Sequence, residues 1–181
     1  MTTQRPQPEP SRAAAIDRRT FLRGSGTLAA ALAGTTSLLS ARRAWGLRGS
    51  SGVVVLGLIG CGRRGTQLLR AALDKPGVVF STVCDVDAGR GGAAVELAAK
   101  LCGSRPALTP DYRDVLDDQQ TDAVIIATPD HWHMIPFMSA CAAEKDIYIE
   151  VPLAPTTLEA GAMTYATRKY KRVVQVGLQQ R

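Results

Sequence analysis

The stretch that decides the fold of this chain is Val53-Val54-Val55-Leu56-Gly57-Leu58-Ile59-Gly60-Cys61-Gly62-Arg63-Arg64-Gly65. Its apolar part is too short to span a membrane and is rich in β-branched residues, which is typical of a strand buried on both faces of a parallel sheet. The glycines that follow have the spacing G-x-G-x-x-G. After a strand and before a helical pattern, this spacing predicts a turn that binds the pyrophosphate of a dinucleotide.

The three glycines of this turn have separate expected roles. Gly60 permits the tight turn after the strand, Gly62 lets the backbone approach a pyrophosphate, and Gly65 allows the next helix to pack on the strand. The free N–H groups and the dipole at the helix N-terminus favour a bound anion. The predicted loop as a whole comprises Gly60, Cys61, Gly62, Arg63, Arg64 and Gly65.

A second apolar run, 78–84, leads directly into Asp85. An acid about 20 residues beyond the glycine turn is where the hydroxyls of an adenosine ribose bind. We therefore predict NAD as the cofactor, because the 2′-phosphate of NADP would meet like charge at Asp85. NADP stays an alternative, because the positively charged Arg90 is nearby. The alternative is that these are turn glycines and a strand-end cap only.

Apolar strand patterns and helical patterns alternate along residues 49–181. Strands are predicted at 53–59, 78–84, 107–109, 122–127, 146–150 and 172–176, with helical segments between them. Such alternation predicts an α/β fold, a doubly wound parallel sheet of the Rossmann type joined by right-handed crossovers. The ligand crevice of such a sheet lies beyond the carboxyl ends of its strands.

Residues 1–48 have a different composition and are predicted to be a largely disordered leader. Asp17-Arg18-Arg19-Thr20-Phe21-Leu22-Arg23 resembles a twin-arginine (Tat) export motif, and an apolar segment follows at 27–40. That segment is shorter than the ~20 residues that a membrane span needs. We expect export through the Tat machinery to the periplasm or envelope, and a disordered basic tail is the alternative. Without a clean A-x-A site, cleavage near Ala44 and retention as an anchor both remain open.

The charge of the chain is concentrated in this leader. The first 50 residues hold eight arginines and two acids, and the remainder has equal numbers of basic and acidic residues. The sequence pI of about 9.5 is therefore no sign of a nucleic-acid partner, and we predict none. The four cysteines lack C-x-x-C or zinc-finger spacing, so we expect buried thiols and no metal site.

Both histidines lie in Thr128-Pro129-Asp130-His131-Trp132-His133, immediately after the fourth predicted strand. This position places them at the crevice, where an imidazole can transfer a proton near neutral pH. The H-x-H spacing lacks an evident third metal ligand. The alternative is that Asp130 caps the next helix and Trp132 packs the loop, with the histidines merely polar.

Five motifs in order resemble the N-terminal NAD(P)-binding domain of Gfo/Idh/MocA-family oxidoreductases, and most closely the twin-arginine-exported members directed at sugars and polyols. The resemblance covers about 53–181. It implies that Thr128, Pro129, His133 and Glu150 lie on the nicotinamide side, with His133 and Glu150 as candidate catalytic residues. The motifs are Gly60–Gly65, Cys84–Asp87, Ala127–His133, Glu150–Ala154 and Gln175–Arg181.

Two departures from the family pattern affect the expected activity. The family motif Glu-Lys-Pro is here Glu150-Val151-Pro152, and valine cannot donate a proton. This version is similar to that of related NAD-dependent glycoside hydrolases, which makes the N-terminal part of such a hydrolase an alternative.

The second departure is that the sequence ends where the family enters a C-terminal α/β domain. In the family that domain supplies most of the substrate pocket and the usual oligomer interface. We therefore expect this chain alone to bind a nucleotide but to show little turnover. A sugar-like substrate and an oligomer are expected only when that domain is present. A further alternative is that the chain is a non-catalytic nucleotide-binding module.

Overall fold

Within residues 52–178, six parallel strands form one sheet in the order β3-β2-β1-β4-β5-β6. The computed structural model describes residues 52–178, so the predicted leader lies outside the described residues. The strands are β1 (Val54–Ile59), β2 (Val78–Cys84), β3 (Ala107–Thr109), β4 (Ala123–Ile126), β5 (Asp146–Glu150) and β6 (Val174–Gly177). The predicted parallel Rossmann-type sheet is confirmed, because every neighbouring pair of strands is parallel.

In the described part of the chain, five helices connect these strands. They are α1 (Arg63–Leu73), α2 (Ala88–Cys102), α3 (Tyr112–Asp117), α4 (Met134–Ala142) and α5 (Thr157–Tyr170), and a short 3-10 turn at Asp130–Trp132 precedes α4. The start of α5 follows from its sequence, since the Thr156 hydroxyl accepts a hydrogen bond from the N–H of Glu159.

The sheet is covered on both faces, which completes the doubly wound architecture. Leu58 and Ile59 are adjacent in β1 and point to opposite faces, so they belong to different apolar clusters. Helices α1 and α2 cover the Leu58 face through residues such as Leu69 and Val95. Helices α3, α4 and α5 cover the Ile59 face, where Phe137 is among the buried side chains.

The carboxyl end of β1 lies at the point where the strand order reverses. Ile59 pairs with Cys84 of β2 on one side and with Ile126 of β4 on the other. The chain therefore winds outward from β1 in both directions, first to β3 and then to β6. The loops after β1, β2 and β4 consequently open at one edge, which is where doubly wound sheets bind ligands.

The cysteines agree with the predicted burial except at one position. Cys61, Cys84 and Cys141 are buried free thiols, but the prediction was wrong for Cys102, which is exposed. Cys102 is the last residue of α2, and the helix ends there because Gly103 adopts a left-handed conformation with φ 69°. Within residues 52–178 no helix has the length and apolar character needed to cross a bilayer, and that same range shows no cluster of potential metal ligands.

Candidate functional site: a cleft at the carboxyl ends of the strands

The glycine turn after β1 is tightly packed at two of its three glycines. Gly60 has φ +95°, and a Cβ there would lie 2.8 Å from the carbonyl carbon and oxygen of Ala127. A Cβ on Gly65 would overlap the carbonyl oxygen of Gly60. Only glycine fits both constraints, so the turn can reverse sharply and α1 can approach the strand ends closely.

Gly62 differs from the other two glycines because it faces open space. Its φ of −63° is accessible to any residue, and a Cβ there would meet nothing within 4 Å. Gly62 is the N-cap of α1, with no side-chain capping hydrogen bond and no acidic residue in the first turn. The first N–H groups of α1 therefore have no capping side chain, which is the usual arrangement of an anion site.

The Asp85 carboxylate fixes the position of this turn relative to β2. One carboxylate oxygen accepts a hydrogen bond from the N–H of Cys61 at 2.7 Å, and the other accepts from the N–H of Asp87 at 2.9 Å. Each oxygen has a second lone pair, so the carboxylate retains the capacity to accept hydrogen bonds from ribose hydroxyls. Asp85 thus organises the turn and also presents an acceptor beside it.

A cleft of about 950 Å³ runs along these strand ends. Seven predicted cofactor residues line it, while Cys61, Gly65, His133 and Glu150 do not. The seven are Gly60, Gly62, Arg63, Arg64, Asp85, Thr128 and Pro129. The segment after β3 was not predicted to be part of the site, yet Pro110, Tyr112 and Arg113 also line the cleft. The predicted parallel order could have indicated this, because it places the carboxyl end of β3 at the same edge of the sheet.

Thr128 presents an unpaired hydroxyl at the β4 end of the cleft. Its hydroxyl is buried and is the buried side-chain polar atom in residues 52–178 that lacks a hydrogen-bond partner. Buried hydroxyls are nearly always paired, so an unpaired one beside a cleft suits a ligand that supplies the partner. Together with the open N-terminus of α1 and the Asp85 acceptor, Thr128 fits a dinucleotide placed along the cleft.

His133 lies beneath the cleft, where its side chain is only 1% exposed. Its Nε2 is 2.7 Å from the carbonyl oxygen of Thr128, and its Nδ1 is 3.2 Å from that of Leu153. A neutral imidazole donates from one nitrogen only, and the imidazolium donates from both. His133 therefore connects the loop after β4 with the segment after β5, and its predicted catalytic role stays a prediction.

The neighbouring residues of this loop do not follow the alternative described from sequence. Asp130 accepts a hydrogen bond from the N–H of His131 at 2.8 Å but does not cap α4, whose N-cap is His133. Trp132 is 51% exposed at the cleft. The exposed His131 also lines the cleft, with its Nδ1 3.5 Å from an Asp130 carboxylate oxygen.

Glu150 ends β5 and is held by an ion pair. Its Oε1 accepts hydrogen bonds from Arg64 Nε at 2.8 Å and from the Tyr148 hydroxyl at 3.2 Å. Burial and the adjacent carboxylate raise the pKa of Tyr148, which keeps its hydroxyl protonated as the donor. Glu150 is thus connected to α1 rather than exposed in the cleft.

The two cysteines near the turn are unsuited to nucleophilic chemistry. Burial, assisted by the Asp85 carboxylate, raises the pKa of both the Cys61 and the Cys84 thiol to about 12. A thiol acts as a nucleophile in its thiolate form, which these residues do not reach near neutral pH. They serve as small apolar packing groups under the turn.

Comparison with curated proteins identifies two groups of relatives. Inositol 2-dehydrogenase from Salmonella typhimurium (strain LT2) is 33% identical over 132 residues, covering 72% of this chain and 37% of that protein. The alpha-N-acetylgalactosaminidase of Shewanella oneidensis is 31% identical over 161 residues, covering 80% of this chain and 35% of that protein. The chain thus spans little more than a third of the length of these relatives.

Solved structures show the same fold with nucleotides bound. The WlbA dehydrogenase from Chromobacterium violaceum, in complex with NADH and UDP-GlcNAcA, matches with a TM-score of 0.66 and 26% identity over 73% of this chain and 37% of that one. The myo-inositol dehydrogenase from Lactobacillus casei, in complex with NAD(H) and myo-inositol, matches with a TM-score of 0.65 and 27% identity over 71% of this chain and 38% of that one.

The family model described as an oxidoreductase family with an NAD-binding Rossmann fold matches residues 54–178, nearly all of the described part of the chain. These residues include the glycine turn, Asp85 and the loop after β4. The chain belongs to the Gfo/Idh/MocA oxidoreductase family and contains its NAD(P)-binding Rossmann domain.

Proposed function

We propose that this chain is the nucleotide-binding part of an exported enzyme that oxidises or reduces a sugar or polyol with NAD. The observation that carries the proposal is the cleft itself, where the uncapped N-terminus of α1, the Asp85 carboxylate and the unpaired Thr128 hydroxyl lie along one sheet edge. When bound, the nicotinamide accepts or returns a hydride. The chain's own residues hold the nucleotide in place for that transfer.

Each part of the cleft suits a different part of the nucleotide. The N–H groups at Gly62 and the start of α1 suit the pyrophosphate, and Asp85 suits the adenosine ribose. Thr128 and Pro129 lie at the β4 end, and there the Thr128 hydroxyl would bind the nicotinamide nucleoside. His133 supports that end from below through its contacts with two backbone carbonyls.

Asp85 supports NAD as the preferred form of the cofactor. A 2′-phosphate next to this carboxylate would meet like charge, and the nearby Arg90 is partly engaged by Asp87 at 3.5 Å. We expect NADH to bind about tenfold more tightly than NADPH, because one such charge clash is worth roughly 1–2 kcal/mol in a partly solvated site. Titration with both nucleotides measures the ratio, and an equal affinity contradicts the assignment.

Sugar or polyol chemistry is supported by the relatives named above, and export by the sequence. The first 48 residues contain the Arg18-Arg19 pair of the motif that resembles a twin-arginine signal. Replacing both arginines by lysine is expected to leave the product in the cytoplasm, and unchanged envelope localisation on cell fractionation contradicts export by the Tat route.

A glycoside hydrolase that uses NAD transiently is the second candidate. Val151 favours it, because this residue stands where the family motif has lysine and is 40% exposed after β5. Several relatives carry glycosidase names, including the Shewanella oneidensis enzyme.

One experiment separates the two activities. The protein as cells produce it, captured from the envelope with an antibody to residues after Trp45, is incubated with NAD and either a sugar and polyol panel or nitrophenyl glycosides. NADH accumulation supports the dehydrogenase, and NAD-dependent nitrophenol release without NADH accumulation supports the hydrolase. If the captured protein binds NADH but gives neither signal, both activities are contradicted and a non-catalytic binding module is supported.

A further inference from the structure

Arg64 and Glu150 form an ion pair beside the anion-binding end of α1. Arg64 is the second residue of α1, and its Nε donates to Glu150 Oε1 at 2.8 Å. The two residues are 86 positions apart in sequence, and the Glu150 side chain is only 7% exposed. The pair therefore joins the helix that faces the predicted pyrophosphate to the end of β5.

The charge of Glu150 conflicts with the ligand that the cleft is built to bind. A pyrophosphate brings two negative charges to the N-terminus of α1, and a buried carboxylate close to it adds a third. Arg64 lines the cleft and Glu150 does not, so Arg64 is the member of the pair that is next to the nucleotide site. The Tyr148 hydroxyl, which also donates to Glu150, and the Gln67 side chain, which accepts from Arg64, are neutral.

We propose that Arg64 is a positioning residue that sets nucleotide affinity by cancelling the charge of Glu150, and that Glu150 does not itself contact the nucleotide. This inference rests on the dinucleotide site proposed above. It differs from the expectation drawn from family resemblance, in which Glu150 binds the cofactor directly. It makes affinity depend on the summed charge of the two side chains.

Summed charge predicts an order of affinities among three variants. Glu150→Gln leaves a net positive charge facing the pyrophosphate and is expected to bind NADH about twofold to fivefold more tightly than wild type, the effect of one partly screened unit charge. Arg64→Gln removes the positive charge of the pair but keeps the negative one, and is expected to bind NADH at least about tenfold more weakly. The double variant restores a net charge of zero and is expected to lie within about threefold of wild type.

The test is an NADH titration of the full 181-residue chain and these variants at low and high salt. The differences are expected to shrink as salt is added, because they arise from charge rather than from packing. Weaker binding by Glu150→Gln would show direct contact with the nucleotide and overturn the proposal. A double variant as weak as Arg64→Gln would show that Arg64 acts by contact alone, which also overturns it.

Two controls separate this result from loss of folding. Arg70→Gln removes a positive charge from an exposed position of the same helix, outside the cleft, and is expected to leave NADH binding unchanged. Thermal unfolding of every variant is measured alongside, and the Glu150→Gln and double variants decide the question even where Arg64→Gln unfolds. A folded wild-type chain that fails to bind NADH would overturn the nucleotide site itself, a result distinct from a wrong order of affinities.

Discussion

Replacing single glycines of the turn by alanine separates the effect on folding from the effect on ligand binding. A Cβ on Gly62 meets nothing within 4 Å, and the residue's φ of −63° suits alanine. The cost to folding is then only that of a poorer N-cap, about 0.5–1 kcal/mol. A Cβ on Gly65 overlaps the carbonyl oxygen of Gly60, which is backbone and cannot rotate away.

The expected losses differ in kind between the two variants. Gly62→Ala places a methyl group where a pyrophosphate approaches, and disruption of one charge-assisted hydrogen bond costs about 1.5–3 kcal/mol. That loss corresponds to NADH binding about tenfold to a hundredfold weaker in a protein that melts nearly as wild type does. Gly65→Ala forces α1 away from the strands, and overpacking of this kind costs about 1–3 kcal/mol or more of unfolding free energy.

The assay combines urea unfolding followed by circular dichroism with titration of NADH fluorescence. Gly161→Ala serves as the matched control, because a Cβ at this exposed position of α5 also meets nothing and lies far along the chain from the turn. It is expected to keep wild-type affinity and to gain up to about 1 kcal/mol in stability from helix propensity. Wild-type NADH affinity in Gly62→Ala, or wild-type stability in Gly65→Ala, would refute the reasoning.

Three further predictions concern buried polar groups and thiols. Lys145 is 3% exposed and its Nζ donates to two backbone carbonyl oxygens at 2.8 Å each, so Lys145→Met is expected to lower the unfolding free energy by about 2–4 kcal/mol in urea titrations. Of the four thiols, Cys102 is expected to be the one that reacts rapidly with Ellman's reagent in the native protein, and fast labelling of a second thiol at pH 8 would contradict the burial. In the folded protein the pKa of Cys61 and of Cys84 is raised from 9.0 to about 12. Their contribution to stability is therefore complete below pH 9 and is lost as the pH rises towards 12. Over that pH range we expect the unfolding free energy of Cys61→Ala to decline less than that of the wild type.

The features predictable from sequence are those that depend on neighbours along the chain. The strand, turn and helix at residues 53–73 follow from local patterning and from the spacing of three glycines, and the structure has β1 and α1 there. Asp85 could be located because its distance from the turn is set by one crossover. The parallel sheet followed from the alternation of strand and helix patterns.

The contacts that the sequence did not reveal join residues far apart. The Arg64–Glu150 pair depends on how closely α1 approaches the end of β5, and no pattern within either motif specifies that distance. The contact of the buried His133 with the carbonyl oxygen of Leu153 likewise joins segments that are 20 positions apart. Cys102 shows a different limit, because it was predicted to be a buried thiol but lies at the exposed end of α2.

Binding of NADH in the cleft beside Trp132 tests the central claim most directly. Trp132 is half exposed at the cleft, so its excitation should pass to a nicotinamide bound nearby and produce NADH emission. We predict saturable tryptophan-sensitised emission that excess NAD competes away and that is strongly reduced in Trp132→Phe. A folded chain that shows no saturable NADH signal by this route and no heat of binding by calorimetry would contradict the assignment of the cleft as a dinucleotide site.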